Sequence, residues 1–215
     1  MSKIALSPNA SGTALFTIAS PATNTDRTLT LPDEGGTLMS TAASITHSQL
    51  PSGSVLQVVS FNTSSQGSTS SSGTDVTLSP DITKSITPVG TNSKFLIQVR
   101  WAGEVTWGAS WQSVFNIHRD GSRINAPGTN RWEGLASPGL LYFTSNNDST
   151  GDQMSLSTLD TTGSTAGTVI TYRLVWCVSN TSPTYSIYTN RTIGSTGTNG
   201  YEHWSSEMII TEIKV

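Results

Sequence analysis

The chain has 215 residues and a formal net charge of −3, and its charged fraction of 12% is about half the share usual in soluble domains. Its 11 Lys and Arg are scattered, whereas a nucleic-acid surface needs clustered cations to release counterions from phosphates. No apolar stretch reaches the roughly 18 residues of a membrane-spanning helix, so we expect neither a nucleic-acid partner nor membrane insertion.

The composition favours a globular chain of many short strands. Thr is frequent in strands, while Ser, Asn, 19 Gly and 9 Pro supply tight turns. A disordered chain would share this polarity but would lack the 6 Trp and the repeated apolar segments. The single cysteine, Cys177, excludes an intrachain disulfide, and the segment MSKIALSPNASG lacks the long apolar region of a secretory signal. We therefore expect an all-β chain without a disulfide or a signal peptide.

The N-terminal region, residues 1–50, is predicted to be an extended arm that cannot form a core. Its most regular part is a short β-ribbon, residues 27–41 (RTLTLPDEGGTLMST), in which two leucines alternate with threonines before a turn and Leu38 and Met39 follow it. An isolated hairpin is marginal in water, so we expect its leucines to be buried by other copies or by a larger partner. The arm is therefore interpreted as an assembly device. The apolar residues assigned to anchoring and assembly are Leu15, Phe16, Ile18, Leu29, Leu31 and Leu38.

Residues 51–215 are predicted to form the folded domain. The preceding residues, 40–54, allow one or two helical turns that end at Pro51 and Gly53. Apolar strand patterns then continue to the end of the chain, separated by low-complexity loops such as SSQGSTSSSG at 64–73. Strands are predicted over residues 55–63, 75–79, 94–106, 113–121, 140–146, 153–160, 168–179, 184–190 and 205–215.

The strand patterns indicate an antiparallel sandwich. Over residues 94–101, apolar residues at odd positions alternate with a mixed set at even positions, which places one face inward and one outward. Residues 169–178 are largely apolar at both parities, so this strand is predicted to be covered on both sides. Asp120-Gly121 predicts a tight hairpin turn. Without helical segments between the strands, the pattern is typical of an antiparallel, jelly-roll-like β-sandwich.

The sequence contains no recognisable catalytic or metal-binding motif. Its histidines, His47, His118 and His203, share no motif spacing, so we expect no metal site. No G-x-S-x-G turn precedes a helix, which leaves no sign of a hydrolase triad. The mid-chain carboxylates lie in segments where Asp and Glu are common for local reasons, so we expect no glycosidase pair, no catalytic residue and no cofactor. These carboxylates are Glu104, Glu133, Asp148, Asp152 and Asp160.

Three tryptophans fall in predicted loops. Trp107 and Trp111 lie close together between small polar residues, and Trp132 lies in the segment NRWEG. Such aromatics can form a contact platform for a sugar or a protein receptor. They can also fold back over the edge of the sandwich, and the sequence leaves both alternatives open. The remaining tryptophans, Trp101, Trp176 and Trp204, are predicted to belong to the core.

Several segments resemble a family of tailed-bacteriophage fibre and virion-appendage proteins. PATNTDRTLTLPDEGGTL, followed by a linker and GSVLQV, is similar to the opening of these proteins, and SSEMIITEIKV is similar to their closing strand. LSPDITKSITPVGTNSKFLIQVRW and the R-D-G of FNIHRDGSRI resemble a strand pair and a hairpin between those ends. The resemblance thus covers both ends of the chain and part of its centre.

The resemblance implies a homotrimer whose N-terminal segment docks on other virion proteins and whose C-terminal head is a jelly roll. It implies a virion structural protein, assembled in the host cytoplasm, that acts in particle assembly and host attachment as a tail fibre or tail-associated appendage. Its receptor would be a host-surface glycan or protein, with Trp107, Trp111 and Trp132 as candidate contacts. The alternative is a capsid-decorating or head-fibre protein whose arm clamps the shell. A carbohydrate-cleaving tailspike and a secreted lectin fit less well.

Overall fold

A computed structural model divides the chain into two compact units, residues 1–43 and residues 44–215. The sequence predicts this boundary at residue 50. Residues 48–50 lie in the second unit, where the Lys214 Nζ donates to the backbone oxygens of Ser48 and Leu50. The predicted ribbon and all six anchoring residues of the arm lie outside the described residues. The structure describes residues 45–142, 149–195 and 202–215, and the single residues Ser11, Asn24 and Asp26.

The unit of residues 44–215 is all-β in its described part. It begins with a 3-10 turn at His47–Gln49, where the sequence predicts one or two helical turns. No helical segment within the described residues has the length and hydropathy that a membrane span requires. The strands are β1 (Val55–Thr63), β2 (Gly67–Ser71), β3 (Val76–Thr77), β4 (Thr83–Ile86), β5 (Lys94–Val105), β6 (Ser113–Arg119), β7 (Ser122–Arg123), β8 (Asp152–Asp160), β9 (Ile170–Val178), β10 (Tyr185–Thr189) and β11 (Ser206–Ile213).

Two antiparallel sheets pack as a sandwich. In the first sheet the strands lie in the order β1-β11-β5-β10-β2, and β8 also pairs with β5. In the second sheet the order is β3-β9-β6-β7, and β4 also pairs with β9. Each of these pairings is antiparallel. The predicted antiparallel β-sandwich is therefore confirmed, while the jelly-roll strand order stays a prediction.

Strand β5 shows the alternation that the sequence predicts. Phe95, Ile97 and Trp101 are fully buried, whereas Gln98 on the opposite face is exposed. Trp101 packs against Phe115 of the second sheet, with ring centroids 5.6 Å apart. A register slip by one residue would turn this apolar face to solvent, so burial of the aromatic side chains determines the register of the central strand.

Strand β9 is buried on both faces from Leu174 to Val178, which confirms the prediction for this half of residues 169–178, whereas Thr171 and Arg173 are half-buried and Val169 is exposed. Trp176 faces the core, and Val175 and Cys177 on the opposite face are buried as well. The cover on that face is the segment after β7, where the Arg131 backbone oxygen accepts a hydrogen bond from the Cys177 Sγ (3.2 Å). Burial raises the pKa of the Cys177 thiol to about 12, so the thiol stays protonated and packs as a small apolar side chain.

The β6–β7 hairpin also follows the sequence prediction. Asp120 (φ 49°) and Gly121 (φ 90°) both adopt left-handed backbone conformations, as a two-residue type I′ turn requires. Arg119 and Ser122 pair on either side of this turn. The Asp120 Oδ1 accepts from the backbone N–H of Thr171 (2.9 Å), which ties the hairpin tip to the start of β9.

Some strand boundaries differ from the sequence prediction. Strand β2 lies inside the segment 64–73, which was predicted to be a loop because it has no apolar residue. It forms because β10 offers a pairing edge, and Ser70 and Ser186 hydroxyls meet across that pair (2.8 Å). Strands β4 and β7 are absent from the strands predicted by apolar pattern, although the resemblance to a strand pair and the Asp120-Gly121 hairpin signal point to both. The predicted strand 140–146 is wrong for residues 140–142, and residues 143–146 lie outside the described residues.

Strands β10 and β11 follow one another along the same side of β5, and the chain leaves the sheet between them. Asn190, a buried residue with φ 60°, bridges this gap. Its amide nitrogen donates to the backbone oxygens of Thr63 (2.8 Å) and Ser65 (2.9 Å), between β1 and β2. Its amide oxygen accepts from the Ser206 hydroxyl (2.7 Å). A single side chain thus joins the ends of β1, β10 and β11 and the segment that leads into β2.

Glu212 is a fully buried carboxylate near the end of β11. It accepts hydrogen bonds from the Ser93 hydroxyl (2.7 Å), the Gln57 amide (2.6 Å) and the backbone N–H groups of Gly90 (2.9 Å) and Val89 (3.1 Å). Burial opposes ionisation of the carboxyl, but these hydrogen bonds outweigh it and hold the pKa of Glu212 below its usual value. The carboxylate therefore fastens the segment before β5 to the first sheet.

The substitution Glu212→Gln should lower the free energy of unfolding by about 2 kcal/mol or more, because an amide cannot accept all of these bonds and buries an unsatisfied donor. Glu207→Gln, on the same strand, is the matched control. Glu207 forms a half-exposed ion pair with Arg100 (3.1 Å), so its substitution should cost less than about 1 kcal/mol. Chemical denaturation near neutral pH measures both values.

The same pair of variants tests the role of ionisation. Because the pKa of Glu212 is lower in the folded chain than in the unfolded chain, its contribution is present above the unfolded pKa of about 4.3. It is lost as the pH falls through the lower, folded-state pKa. The stability difference between wild type and Glu212→Gln should therefore shrink in acid. A difference that stays constant down to the acid transition would contradict this account.

Candidate functional site

The sandwich has two distinct ends, which strand β5 connects. This strand has 12 residues and spans about 36 Å. Its first residue, Lys94, pairs with Ile213 at what we call the base end, and the described chain of this unit begins there. Its last residue, Val105, pairs with Ile187 at the opposite end. We call this the tryptophan end, and define it by three loops, residues 72–74, 106–112 and 179–184.

The 106–112 loop holds two exposed indoles on a buried support. Trp107 and Trp111 are 60% and 58% exposed, whereas Ala109 and Ser110 between them are buried. The Ala109 backbone oxygen accepts from the Ser113 hydroxyl (2.8 Å) at the start of β6. Because the support is packed and hydrogen-bonded, the two indoles are exposed without being carried on a loose segment.

The two indoles contact each other at a right angle. The ring centroids of Trp107 and Trp111 are 5.1 Å apart and the interplanar angle is 89°. This edge-to-face arrangement is favourable because the positive edge of one ring meets the negative face of the other. The same arrangement leaves two aromatic faces that are perpendicular and adjacent to each other.

Gly108 allows the loop to pass close to the sheet. Its φ of 88° lies in the left-handed region, and a Cβ atom at this position would lie 2.5 Å from a ring carbon of Tyr185. Tyr185 begins β10, so the contact joins the 106–112 loop to the end of the 179–184 loop. Only glycine satisfies both the backbone conformation and the close approach.

Trp132 lies on a neighbouring segment and contacts a different group. It is 53% exposed, and the Arg131 guanidinium lies 4.5 Å from its ring centroid. The Arg131 Nε also donates to the Ser179 backbone oxygen (2.6 Å), at the start of the 179–184 loop. One face of the Trp132 indole is therefore engaged by a cation.

The sequence leaves open whether the three loop tryptophans are exposed or fold back over the edge of the sandwich, and the structure answers this question. Trp107, Trp111 and Trp132 are all exposed, so none folds back over the edge of the sandwich. Their role in receptor contact stays a prediction. Of the tryptophans predicted for the core, Trp101 and Trp176 are fully buried. Trp204 is half-buried instead, because it lies on the loop after β10 and packs over Gly151. Its prediction as a core residue is wrong.

The tryptophan end is electrostatically neutral. Its three loops, residues 72–74, 106–112 and 179–184, contain no Asp, Glu, Lys or Arg. Next to them Asp75 accepts from Arg123 at both carboxylate oxygens (2.6 and 2.7 Å). Burial opposes ionisation of Asp75, but the hydrogen bonds from His118 and Arg123 outweigh it and hold its pKa well below the usual range.

The structure brings Ser195 and His203 together, a pair that no pattern in the sequence predicts. The Ser195 Oγ lies 2.7 Å from the His203 Nε2. A serine and a histidine at this distance can form part of a nucleophile pair. Ser195 is fully buried, however, so a substrate cannot reach its oxygen. The contact closes the loop between β10 and β11, and no sequence motif marks it.

The carboxylates considered for catalysis form structural bonds. Glu104 accepts from the backbone N–H of Ile193 (2.6 Å), and Asp160 accepts from the Tyr172 hydroxyl (2.6 Å). Burial raises the pKa of Tyr172, and the hydrogen bond to Asp160 raises it further. Asp148 lies outside the described residues. Within the residues that are described, no group of three or more His, Cys, Asp or Glu is placed to hold a metal ion.

Comparison with known proteins adds no family assignment. The chain matches no protein-family model, and no curated protein matches it. The candidate site therefore rests on the geometry of the tryptophan end.

Substitution of the exposed tryptophans should leave the fold intact. Trp107→Ala and Trp111→Ala should each lower the free energy of unfolding by no more than about 1.5 kcal/mol, the contribution of the ring pair. Trp101→Ala is the buried control and should cost about 3–5 kcal/mol. Urea denaturation compares the three. A cost for Trp107→Ala equal to that for Trp101→Ala would show that the loop indole is part of the core.

The position of the loop should depend on Gly108. Gly108→Ala combines a left-handed φ with the clash against Tyr185 and should cost several kcal/mol. Gly121→Ala is the matched control, because its φ is 90° and nothing lies within 4 Å of an added Cβ. It should cost only about 1–2 kcal/mol. Thermal unfolding measures both, and equal costs would show that the Tyr185 contact is unimportant.

Proposed function

We propose that this chain is a structural protein of a bacteriophage virion, a trimeric fibre-like appendage that acts in particle assembly and host attachment. One observation carries the proposal: the chain enters the sandwich at the end opposite the exposed tryptophans. An appendage needs this polarity, because one end is held by the particle and the other faces the host. The proposal also rests on the likeness of the N-terminal and C-terminal segments to tail-fibre proteins.

The base end holds the entering chain firmly. The backbone N–H of Lys214 donates to the Ser54 oxygen (2.9 Å), and the backbone N–H of Gly53 donates to the Lys214 oxygen (2.8 Å). The Lys214 Nζ reaches back to the Ser48 oxygen (3.0 Å). Residues 48–54 are thus fastened to the last strand of the domain.

The outer face of the first sheet supports self-association. Val58, Thr211, Leu96 and Leu159 form one row across β1, β11, β5 and β8. Val58 and Leu159, at the two ends of this row, are exposed aliphatic side chains, and Leu96 between them is half-buried. Burying a face with few charges requires little desolvation of ions, so neighbouring subunits can cover it at low cost.

The anchoring role of the arm is tested by a matched pair of double variants. Leu29→Asp with Leu31→Asp should abolish incorporation into particles, because it places charges where the predicted ribbon buries apolar side chains. Thr28→Asp with Thr30→Asp places the same charges on the other face and should be incorporated normally. Quantifying the chain in purified particles measures both. Thermal unfolding of the sandwich should be nearly unchanged in either variant.

Removal of the arm tests whether anchoring belongs to the arm, while folding and trimerisation belong to the sandwich. A chain of residues 44–215 should stay folded and trimeric in light scattering at micromolar concentration, yet fail to join particles. Full occupancy of particles by this shortened chain would show that the arm is not the anchor. A purely monomeric chain would contradict the trimer. Electron microscopy of particles labelled with an antibody against this chain locates it on the virion. Label on the capsid and not on the tail would reject the tail position and support the capsid-decorating alternative.

A further inference from the structure

We infer that Trp107 and Trp111 form the binding site for a neutral carbohydrate at the tryptophan end. The inference deepens the proposed attachment role and rests on that role for its biological meaning. Its physical basis is independent: two exposed indoles at a fixed mutual angle, a rim of neutral hydrogen-bonding groups, and the absence of charge in the three loops of this end.

The site is preorganised. The 106–112 loop is held by the Ala109–Ser113 hydrogen bond (2.8 Å), and the Leu140 backbone N–H donates to the Ser110 oxygen (2.8 Å). The Trp176 indole N–H donates in turn to the Ser113 hydroxyl (3.0 Å), which links the loop to the core. A ligand therefore meets indoles whose positions are already determined, and binding requires little ordering of the loop.

The size of the aromatic surface fits a small ligand. Two indoles that are 60% and 58% exposed present roughly 200–300 Å² of aromatic surface. A stable protein–protein interface needs about 800 Å² from each partner. The indole pair is too small for such an interface by itself, whereas the apolar face of a sugar ring matches the face of one indole. The perpendicular second indole can contact the edge of the same ring.

The rim supplies neutral hydrogen-bonding groups. The 179–184 loop lies beside the indoles, because the Ser179 backbone N–H donates to the Gln112 oxygen (2.9 Å) and Tyr185 packs under Gly108. Its residues 180–184 are all exposed and read NTSPT, so that amide and hydroxyl groups face solvent. Sugar hydroxyls act as both donors and acceptors, and amides and hydroxyls complement them without the desolvation of an ion.

The charge distribution excludes acidic sugars and phosphorylated ligands as the preferred class. None of the three loops contains Lys or Arg. Arg131 lies over the Trp132 ring and its Nε donates to the Ser179 oxygen, so this guanidinium is engaged beside Trp132 and not in the indole pair. Arg123 forms its bidentate pair with Asp75. A carboxylate or phosphate placed on the Trp107–Trp111 pair would therefore lose hydration without a cation in these loops to replace it.

Binding by the purified full chain provides the test. The probes are neutral oligosaccharides, namely maltohexaose, cellohexaose, mannohexaose and chitohexaose, with colominic acid as the anionic comparison. Indole fluorescence and saturation-transfer NMR, with transfer from aromatic protons to sugar C–H protons, report binding. We expect one or more of the neutral probes to bind and colominic acid not to bind.

Matched variants locate the site. Trp107→Ala and Trp111→Ala should each weaken the binding of the neutral probe by about tenfold or more, and Trp107→Phe should weaken it less. Trp132→Ala removes an equally exposed indole that is already stacked with Arg131, and it should change the affinity by less than about twofold. Wild-type affinity in both Trp107→Ala and Trp111→Ala would overturn the assignment.

Failure of this inference is distinct from failure of the proposed function. If no neutral probe binds while the chain is still incorporated into particles, the carbohydrate site is wrong and the appendage stands. Adsorption of particles to treated host cells distinguishes a carbohydrate receptor from a protein receptor. Loss of particle adsorption after protease treatment, with no loss after periodate oxidation of sugars, would show a protein receptor and overturn the inference. Carbohydrate binding by a chain that never joins particles would support the site and reject the appendage.

Discussion

The packing of Trp101 against Phe115 is the contact on which the rest of the sandwich depends. These side chains come from β5 and β6, the central strands of opposite sheets, and their ring centroids are 5.6 Å apart. The Trp101 indole N–H also donates to the Thr189 hydroxyl (3.1 Å), so the same side chain holds the end of β10 against the core. Because the chain between Trp101 and Phe115 must cross from one sheet to the other, residues 106–112 have to turn at the tryptophan end. The core contact thereby positions the exposed indoles.

Few charges are available to this chain, and the buried ones stabilise its ends. At the base end Glu212 fastens the segment before β5, and Asp160 accepts from Tyr172 of the second sheet. Asp75 pairs with Arg123 on the outer face of that sheet. A buried carboxylate is costly unless hydrogen bonds or cations replace its hydration, and each of these has such partners. Polar side chains thus fasten loops and segments to the sheets, while aromatic packing joins the two sheets.

This arrangement gives the two ends different chemistry. The base end is fastened by backbone and lysine hydrogen bonds and lies next to an aliphatic row on the first sheet, which suits contacts with other protein chains. The tryptophan end combines a rigid support, exposed aromatic surface and neutral polar groups, which suits a ligand that is apolar on one side and rich in hydroxyls on the other. A separation of about 36 Å along β5 allows either end to change without disturbing the other.

The sequence is sufficient to predict the all-β class, most strands and the Asp120-Gly121 turn, because side-chain periodicity and left-handed turn residues act locally. It also identified Trp107 and Trp111 as loop residues. Their exposure and perpendicular arrangement follow from the folded chain alone, because exposure depends on what packs beneath the loop, here Tyr185 and the core. Strand β2 escaped prediction for a related reason: its Ser-rich residues have weak strand preference, and the pairing edge of β10, more than a hundred positions along the chain, makes them a strand. Contacts between residues distant in sequence decide what local preference leaves open.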